Sequence, residues 1–198
     1  MKVEKGSIAT GRMGRYVDSR SHAHDLLTSE VMVKRMCRLV GAQVEPSEYP
    51  IELRSYKVGS GMEWHKDDQL YSVPQCELVL TLDNDSDSRT EWIDARGEHH
   101  AEWTPPNSAL LVRAGETGAS HRVRPLQRGQ RTILKMVWAS PDCERTDDFY
   151  LHLNSLPGLR GGLKQEAAAG GGGAGGGGKG GKGRGGAASG KGGGKRRK

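Results

Sequence analysis

His65 and Asp67 stand two residues apart in the string Trp64-His65-Lys66-Asp67-Asp68. In an extended strand, residues i and i+2 point to the same face, so the imidazole and the carboxylate project together. Such a pair can fill adjacent positions on a metal ion, and a third ligand must then come from elsewhere. His121 can supply it. It lies 54 residues after Asp67, far enough for a pair of hairpins to bring the chain back. Arg131 follows His121 by ten residues and opens a strand-like run. A guanidinium grips a carboxylate through two parallel hydrogen bonds, which suits a dicarboxylate co-substrate.

Two histidines and one carboxylate on one face of a metal, with open positions opposite, form the ligand set of non-haem Fe(II) oxygenases. The same ligands suit Zn(II), but a plain zinc centre has no use for a dicarboxylate clamp. The other polar candidates read more plainly. His22 and His24 fall in a polar lead-in and read as solvated, His99 and His100 as turn surface, and His152 as a residue beyond the last strand. Asp68 reads as a neighbouring contact rather than a ligand. Trp64 and Trp92 read as core or rim residues, with Trp92 also a candidate for the substrate mouth. Cys37 reads as packed beside a helix stripe. Arg113 and Arg122 stay open between rim charge and substrate contact.

The elements that must position these residues follow from periodicity. Met32, Met36, Leu39 and Val40 recur at helical spacing and predict a helix over Asp25 to Gly41. Thr28 or Ser29 can cap its start and Gly41 can close it. Beyond Pro50 the period changes to two. Strand runs are predicted at 51–57, 77–82, 109–113 and 131–138, separated by Gly-, Pro- and Asp-rich turns. In the last run Thr132, Leu134, Met136 and Trp138 share one face, and Ile133, Lys135 and Val137 the other. The expected architecture is mainly β with flanking α: a jelly roll packed against an N-terminal helix.

Charge divides the chain. Residues 161–198 hold 19 of the 30 glycines, nine basic residues and one acidic residue, a net of +8; residues 1–160 carry a net of −2. The expected organisation is a partly ordered lead-in (1–24), one domain (25–160) and a disordered Gly/Lys-rich tail (161–198). The tail ends in Lys195-Arg196-Arg197-Lys198. That run resembles a nuclear address and can attract phosphates weakly, without sequence preference. No repeat period occurs in residues 1–160. No stretch approaches 18 apolar residues and no apolar h-region follows Met1, so neither a membrane span nor a secretory signal is expected. Cys37, Cys76 and Cys143 are odd in number and read as free thiols. The expected location is intracellular, cytoplasmic or nuclear.

The order and spacing of His65-Lys66-Asp67, His121 and Arg131 resemble the Fe(II)/2-oxoglutarate dioxygenase superfamily, and within it the prolyl 4-hydroxylase-type catalytic domain. Tyr56-Lys57-Val58-Gly59 resembles that branch's Tyr-x-x-Gly, nine residues before the metal histidine. His121 to Arg131 resembles its His-x-Val-x-Pro-Val-x-x-Gly-x-Arg run, and Trp138 stands where its last strand ends in Trp. The likeness spans roughly residues 26–140. It implies a double-stranded β-helix with the iron at one mouth. It implies that His65, Asp67 and His121 bind Fe(II), that Arg131 pairs with the distal carboxylate of 2-oxoglutarate, and that Tyr56 hydrogen-bonds to it. It implies a C–H hydroxylation that consumes O2 and releases succinate and CO2, with ascorbate as reductant. One departure stands out: Thr90 and Trp92 occupy the places of the Thr and Phe in the branch's Gly-Gly-x-Thr-x-Phe hairpin, but the paired glycines are absent.

Three functions compete. The first is a dioxygenase hydroxylating a protein or peptide side chain, prolyl hydroxylase-like. The second is an AlkB-like oxidative demethylase of nucleic acid, which usually carries another Arg six residues after the co-substrate Arg; here that position is Val137. The third is a non-catalytic jelly-roll binding module, although the three ligands and the clamp are all present.

Overall fold

Period-two alternation builds most of the structure described here, residues 2–3 and 9–156 of a computed structural model. In chain order these are β1 (Lys2–Val3), β2 (Ala9–Thr10), β3 (Met13–Tyr16), helices α1 (His22–Leu27) and α2 (Glu30–Val40), β4 (Glu45–Pro46), β5 (Glu52–Tyr56) and β6 (Gly61–His65). Then come β7 (Cys76–Asn84), β8 (Thr90–Ile93), β9 (His99–Glu102), β10 (Ala109–Arg113), β11 (Ser120–Val123), β12 (Arg131–Ala139) and α3 (Asp147–Ser155). The expected tail, residues 161–198, lies outside the described residues.

Two antiparallel sheets face each other. The larger has the order β1-β3-β5-β12-β7-β10, with β4 also on β12; the smaller has the order β2-β6-β11-β8-β9. Strands β5 to β12 pass back and forth between the two sheets, which is the winding of a jelly roll. The lead-in adds short strands to both sheets. Its Met13–Tyr16 pairs with β5, Met13 opposite Ser55, and Ala9–Thr10 pairs with β6. Pairing with strands some 40 residues away orders a segment whose local composition carries little signal.

The expected helix over Asp25 to Gly41 is two helices. Ser21 caps α1 by accepting from the His24 amide at 3.2 Å, and Ser29 caps α2 by accepting from the Met32 amide at 3.4 Å. The break falls at Thr28–Ser29, whose hydroxyls donate back to the His24 and Leu26 carbonyls at 3.0 and 2.8 Å. Gly41 closes α2 in the left-handed conformation, φ 74°. The buried face of α2 is rotated from the expected stripe: Leu39 is 68% exposed, whereas Val33 and Cys37 join Met32, Met36 and Val40. This face packs on Ile51, Leu78, Met136 and Trp138. One side of the larger sheet is thereby covered, and its other side is free to form an interior with the smaller sheet. Phe149 of α3 joins Tyr49, Leu70, Tyr71, Val137 and Ala139 in a second core. Among the described residues no helix is long and apolar enough to cross a membrane.

Candidate functional site

The interior between the sheets holds the predicted site. His65 ends β6 and His121 lies directly opposite it on β11. A β-bulge interrupts the pairing between these histidines and the Val123–Met62 pair. Bulges re-aim side chains, and this one adjoins the ring that must point inward. Asp67 sits just past β6, its backbone oxygen held by the Gly115 amide at 2.9 Å. His65 Nε2 lies 3.9 Å from Asp67 Oδ1, and His121 Nε2 lies 3.5 Å from Asp67 Oδ2. The donor atoms of all three residues fall within 4.8 Å of one another.

Each histidine is held in the tautomer a metal requires. His65 Nδ1 is 2.7 Å from the Glu63 backbone oxygen, and His121 Nδ1 is 3.0 Å from that of Ala119. A carbonyl oxygen only accepts, so both Nδ1 atoms carry the proton and both Nε2 lone pairs face the interior. His65 Nε2 is buried and has no hydrogen-bond partner. A buried ring nitrogen without a partner is costly in an empty fold and natural in a ligand. Burial also pushes the His65 pKa down, favouring the neutral ring. Burial alone would push Asp67 up, but Lys135, His121 and His65 outweigh it and hold the carboxyl below its ordinary range. Two neutral imidazoles and one anion are the donor set of a divalent metal with open positions. The three residues fit Fe(II).

The second half of the site lies deeper. Arg131 opens β12 opposite Tyr56 on β5 and is 1% exposed. One guanidinium NH donates to Thr90 Oγ1 at 3.0 Å, while its Nε is buried without a partner. Among the described residues no carboxylate pairs with Arg131. Gly129, two residues earlier, has φ 71°, and a Cβ there would meet the Asp85 backbone oxygen at 2.6 Å. The Asp85 carboxylate accepts from the Gln130 amide at 2.6 Å. The turn feeding Arg131 into the sheet is thus held tightly. A buried cation with unfilled donors awaits a carboxylate, and one end of 2-oxoglutarate fits it. Tyr56 lies beside Arg131, its hydroxyl 3.4 Å from Met62 Sδ. A cavity of about 50 Å³ is lined by the triad, Tyr56, Arg131 and Lys135.

The remaining candidates separate cleanly. Trp92 lies directly across from His121 and stacks on His100, with centroids 5.1 Å apart and planes 15° from parallel. His100, expected as turn surface, therefore flanks the site; its Nε2 is 3.1 Å from Asp94 Oδ2. Trp64 points to the other face of its sheet, under the Arg122 guanidinium at 4.9 Å. Asp68 pairs with His152 of α3 at 2.9 Å. Cys37 Sγ accepts from the Val44 amide at 3.4 Å, as a packed thiol. Sequence reasoning missed Lys135 as a site residue. Its only sequence signal is a lone charge on the Ile133/Val137 face, and a solvated lysine gives the same signal.

Comparison with known proteins shows the same fold in other chains. No protein-family model matches the chain and no curated protein matches it. Among solved structures, a Pseudomonas putida prolyl-4-hydroxylase superposes with TM-score 0.54 at 18% identity, over 68% of this chain and 74% of that one. An oxidoreductase of the 2OG-Fe(II) oxygenase family from Burkholderia pseudomallei gives 0.52 at 14%, over 59% and 55%. A Trichoplax adhaerens prolyl hydroxylase, in complex with a hypoxia inducible factor oxygen degradation domain peptide fragment, gives 0.50 at 10%, over 65% and 62%. This chain thus spans less than two thirds of the length of the last two. At these identities the likeness is one of fold: the double-stranded β-helix of the 2OG-Fe(II) oxygenases, as the sequence motifs imply.

Proposed function

We propose that this chain is an Fe(II)- and 2-oxoglutarate-dependent dioxygenase that hydroxylates a C–H bond on a protein or peptide side chain. The observation that carries the reading is the pairing of two unfilled donor sets in one cavity. His65, Asp67 and His121 offer a facial metal site, and Arg131 offers a buried guanidinium that meets no carboxylate among the described residues. A zinc centre would explain the first and leave the second idle.

Each residue has a defined task. His65 and His121 present Nε2 lone pairs because backbone carbonyls hold their Nδ1 protons. Asp67 supplies the anionic ligand. Arg131, braced by Thr90, receives the distal carboxylate of 2-oxoglutarate, with Tyr56 beside it. The bound iron supplies O2 activation coupled to oxidation of 2-oxoglutarate to succinate and CO2, and ascorbate keeps it reduced. The Trp92–His100 stack beside His121 provides an aromatic wall for the substrate.

A side chain on a peptide is favoured over a nucleobase. The position where an AlkB-like enzyme would place its second Arg is Val137, 1% exposed in an apolar cluster. Two of the similar structures are prolyl hydroxylases, one of them holding a peptide. The net +8 of residues 161–198 supports weak, sequence-independent phosphate contact as an accessory property.

The test is succinate formation from 2-oxoglutarate with Fe(II) and ascorbate, against peptide and oligonucleotide panels at several salt concentrations. Peptide-stimulated succinate with a 16 Da gain on the peptide is expected. Stimulation by alkylated oligonucleotides alone would transfer the enzyme to the nucleic-acid class. Iron-loaded protein that forms no succinate in any arm would leave a binding module.

A further inference from the structure

Lys135 stands four residues after Arg131, on the same interior face of β12, and its side chain is 15% exposed. A buried ammonium is costly unless it is paired. Here two carboxylates face it. Its Nζ forms an ion pair with Glu77 of the adjacent β7 and lies 3.6 Å from Asp67 Oδ1. Burial pushes Glu77 up, whereas Asp67 and Glu77 together hold Lys135 above its ordinary value against burial. Behind them Arg54 binds Glu52 through two hydrogen bonds, at 2.8 and 3.1 Å. Signs therefore alternate along the floor of the cavity and end at a metal ligand. Packing alone gives no reason for this arrangement, because apolar residues of equal volume often stabilise a buried site as well as an ion pair or better.

The geometry points to Lys135 as a positioning residue for the metal centre: anchored by Glu77, it restrains Asp67 Oδ1 while Oδ2 lies nearest His121 Nε2. The inference rests on reading the triad as a metal site. Asp67 is the ligand that most needs such help, since His65 and His121 sit in paired strands and Asp67 lies beyond the end of β6. The histidine rings are oriented by Glu63 and Ala119, and the Asp67 main chain is held by Gly115. Among the described residues Lys135 is the cation that meets the Asp67 carboxylate. Each of the three ligands then has an outer partner, the usual architecture of a metal centre.

An ammonium near a divalent ion also repels it, so the two effects oppose each other. Contact with Glu77 turns the cation into one end of a dipole, which weakens the repulsion and leaves the restraint on Asp67. The two effects give opposite results on removal. Anaerobic Co(II) titration of the full chain separates them, read by affinity and by the visible bands that report coordination geometry. Losing the outer partner of a ligand typically weakens metal binding about 10–100-fold. That loss is expected for Lys135→Met, with altered bands and partial recovery in Lys135→Arg. Lys135→Met combined with Glu77→Gln leaves no buried Glu77 charge without its cation, which guards against a folding failure; it should bind as weakly as Lys135→Met. A folded double variant that binds Co(II) as tightly as the unaltered chain, or more tightly, overturns the positioning role alone. An unaltered chain that takes up no Co(II) overturns the metal reading and this inference with it.

Discussion

Thr90 and Glu91 are adjacent on β8 and face opposite ways, and the fold treats the two buried charges found there, Arg131 beside Thr90 and Glu91 itself, differently. Inside, Thr90 meets Arg131, whose guanidinium is 1% exposed and whose Nε has no partner. Outside, Glu91 is fully buried beneath its own partners. Arg122 donates to it at 2.6 Å, Arg124 forms a second ion pair, and His99 Nε2 lies 3.5 Å away. One charge is paired with cations of the chain itself, and the other meets no carboxylate among the described residues. A charge satisfied within the chain fastens strands together, here β8 to β11. A charge left short is the imprint of something that binds. Burial alone does not distinguish them; the partner count does.

The contrast breaks most visibly at the metal. His65→Ala or His121→Ala should lower Fe(II) affinity by more than the 10–100-fold of losing an outer partner, and turnover should fall to background. The fold should persist, since neither ring is part of an apolar core. Anaerobic iron titration with circular dichroism reads both; unchanged iron binding in both variants would remove the assignment.

Arg131 comes next. Arg131→Ala should weaken 2-oxoglutarate binding by about 2–5 kcal/mol and leave Co(II) binding little changed. Arg131→Lys should recover only part, because an ammonium lacks the planar fork. Without co-substrate, Arg131→Met should unfold at the same temperature as the unaltered chain or higher, because it removes a desolvated charge that has no counter-ion. A lower melting point would mean that Arg131 is already satisfied within the fold, and the contrast with Glu91 would disappear.

Glu91 should behave in the opposite sense. Glu91→Gln should cost about 1–3 kcal/mol of stability, at the modest end because Arg122 and Arg124 are partly exposed and screened. Co-substrate affinity should not change. Burial would raise the Glu91 pKa, but Arg122 and Arg124 outweigh it and hold it down. Its contribution is therefore fully present above the ordinary glutamate value, near 4.3, and is lost as pH falls through the depressed value. Urea midpoints of the two proteins should converge on acidification. A constant gap down to the lowest pH at which the chain folds would contradict this account.

Tyr56→Phe should be the mildest change. Among the described residues its hydroxyl meets Met62 Sδ, so losing one hydrogen bond to the co-substrate should cost about 0.5–1.5 kcal/mol. A several-fold rise in the KM for 2-oxoglutarate at constant kcat is expected. A fall in kcat alone would place Tyr56 elsewhere in the reaction.

The parts of this molecule that were readable in the sequence are those with local spacing. His65 and Asp67 announce a shared face by their two-residue step, and the His121-to-Arg131 run carries its own turn and strand. The alternation in β12 separates the helix-covered face of Leu134, Met136 and Trp138 from the interior face. What stayed hidden depends on distant partners. Lys135 has a site role only because Glu77, 58 residues earlier, and Asp67 meet it. His100 joins the site only through the β8–β9 pairing that lays it on Trp92. The segment Met13–Tyr16 becomes a strand by joining β5, and helix α3, which carries Phe149 into a core, has a weak periodicity of its own.

Strand β12 carries Arg131 and Lys135 on one face and Met136 and Trp138 on the other, and it is paired with β5, β7 and β4. A slip of one residue would exchange the faces, putting the cations under α2 and the tryptophan in the cavity. No half-correct register exists in which the protein is folded but merely inactive. Quality control by the hydrophobic core is therefore also quality control of the cation pair, and any chain that survives folding emerges with Arg131 and Lys135 already facing the interior.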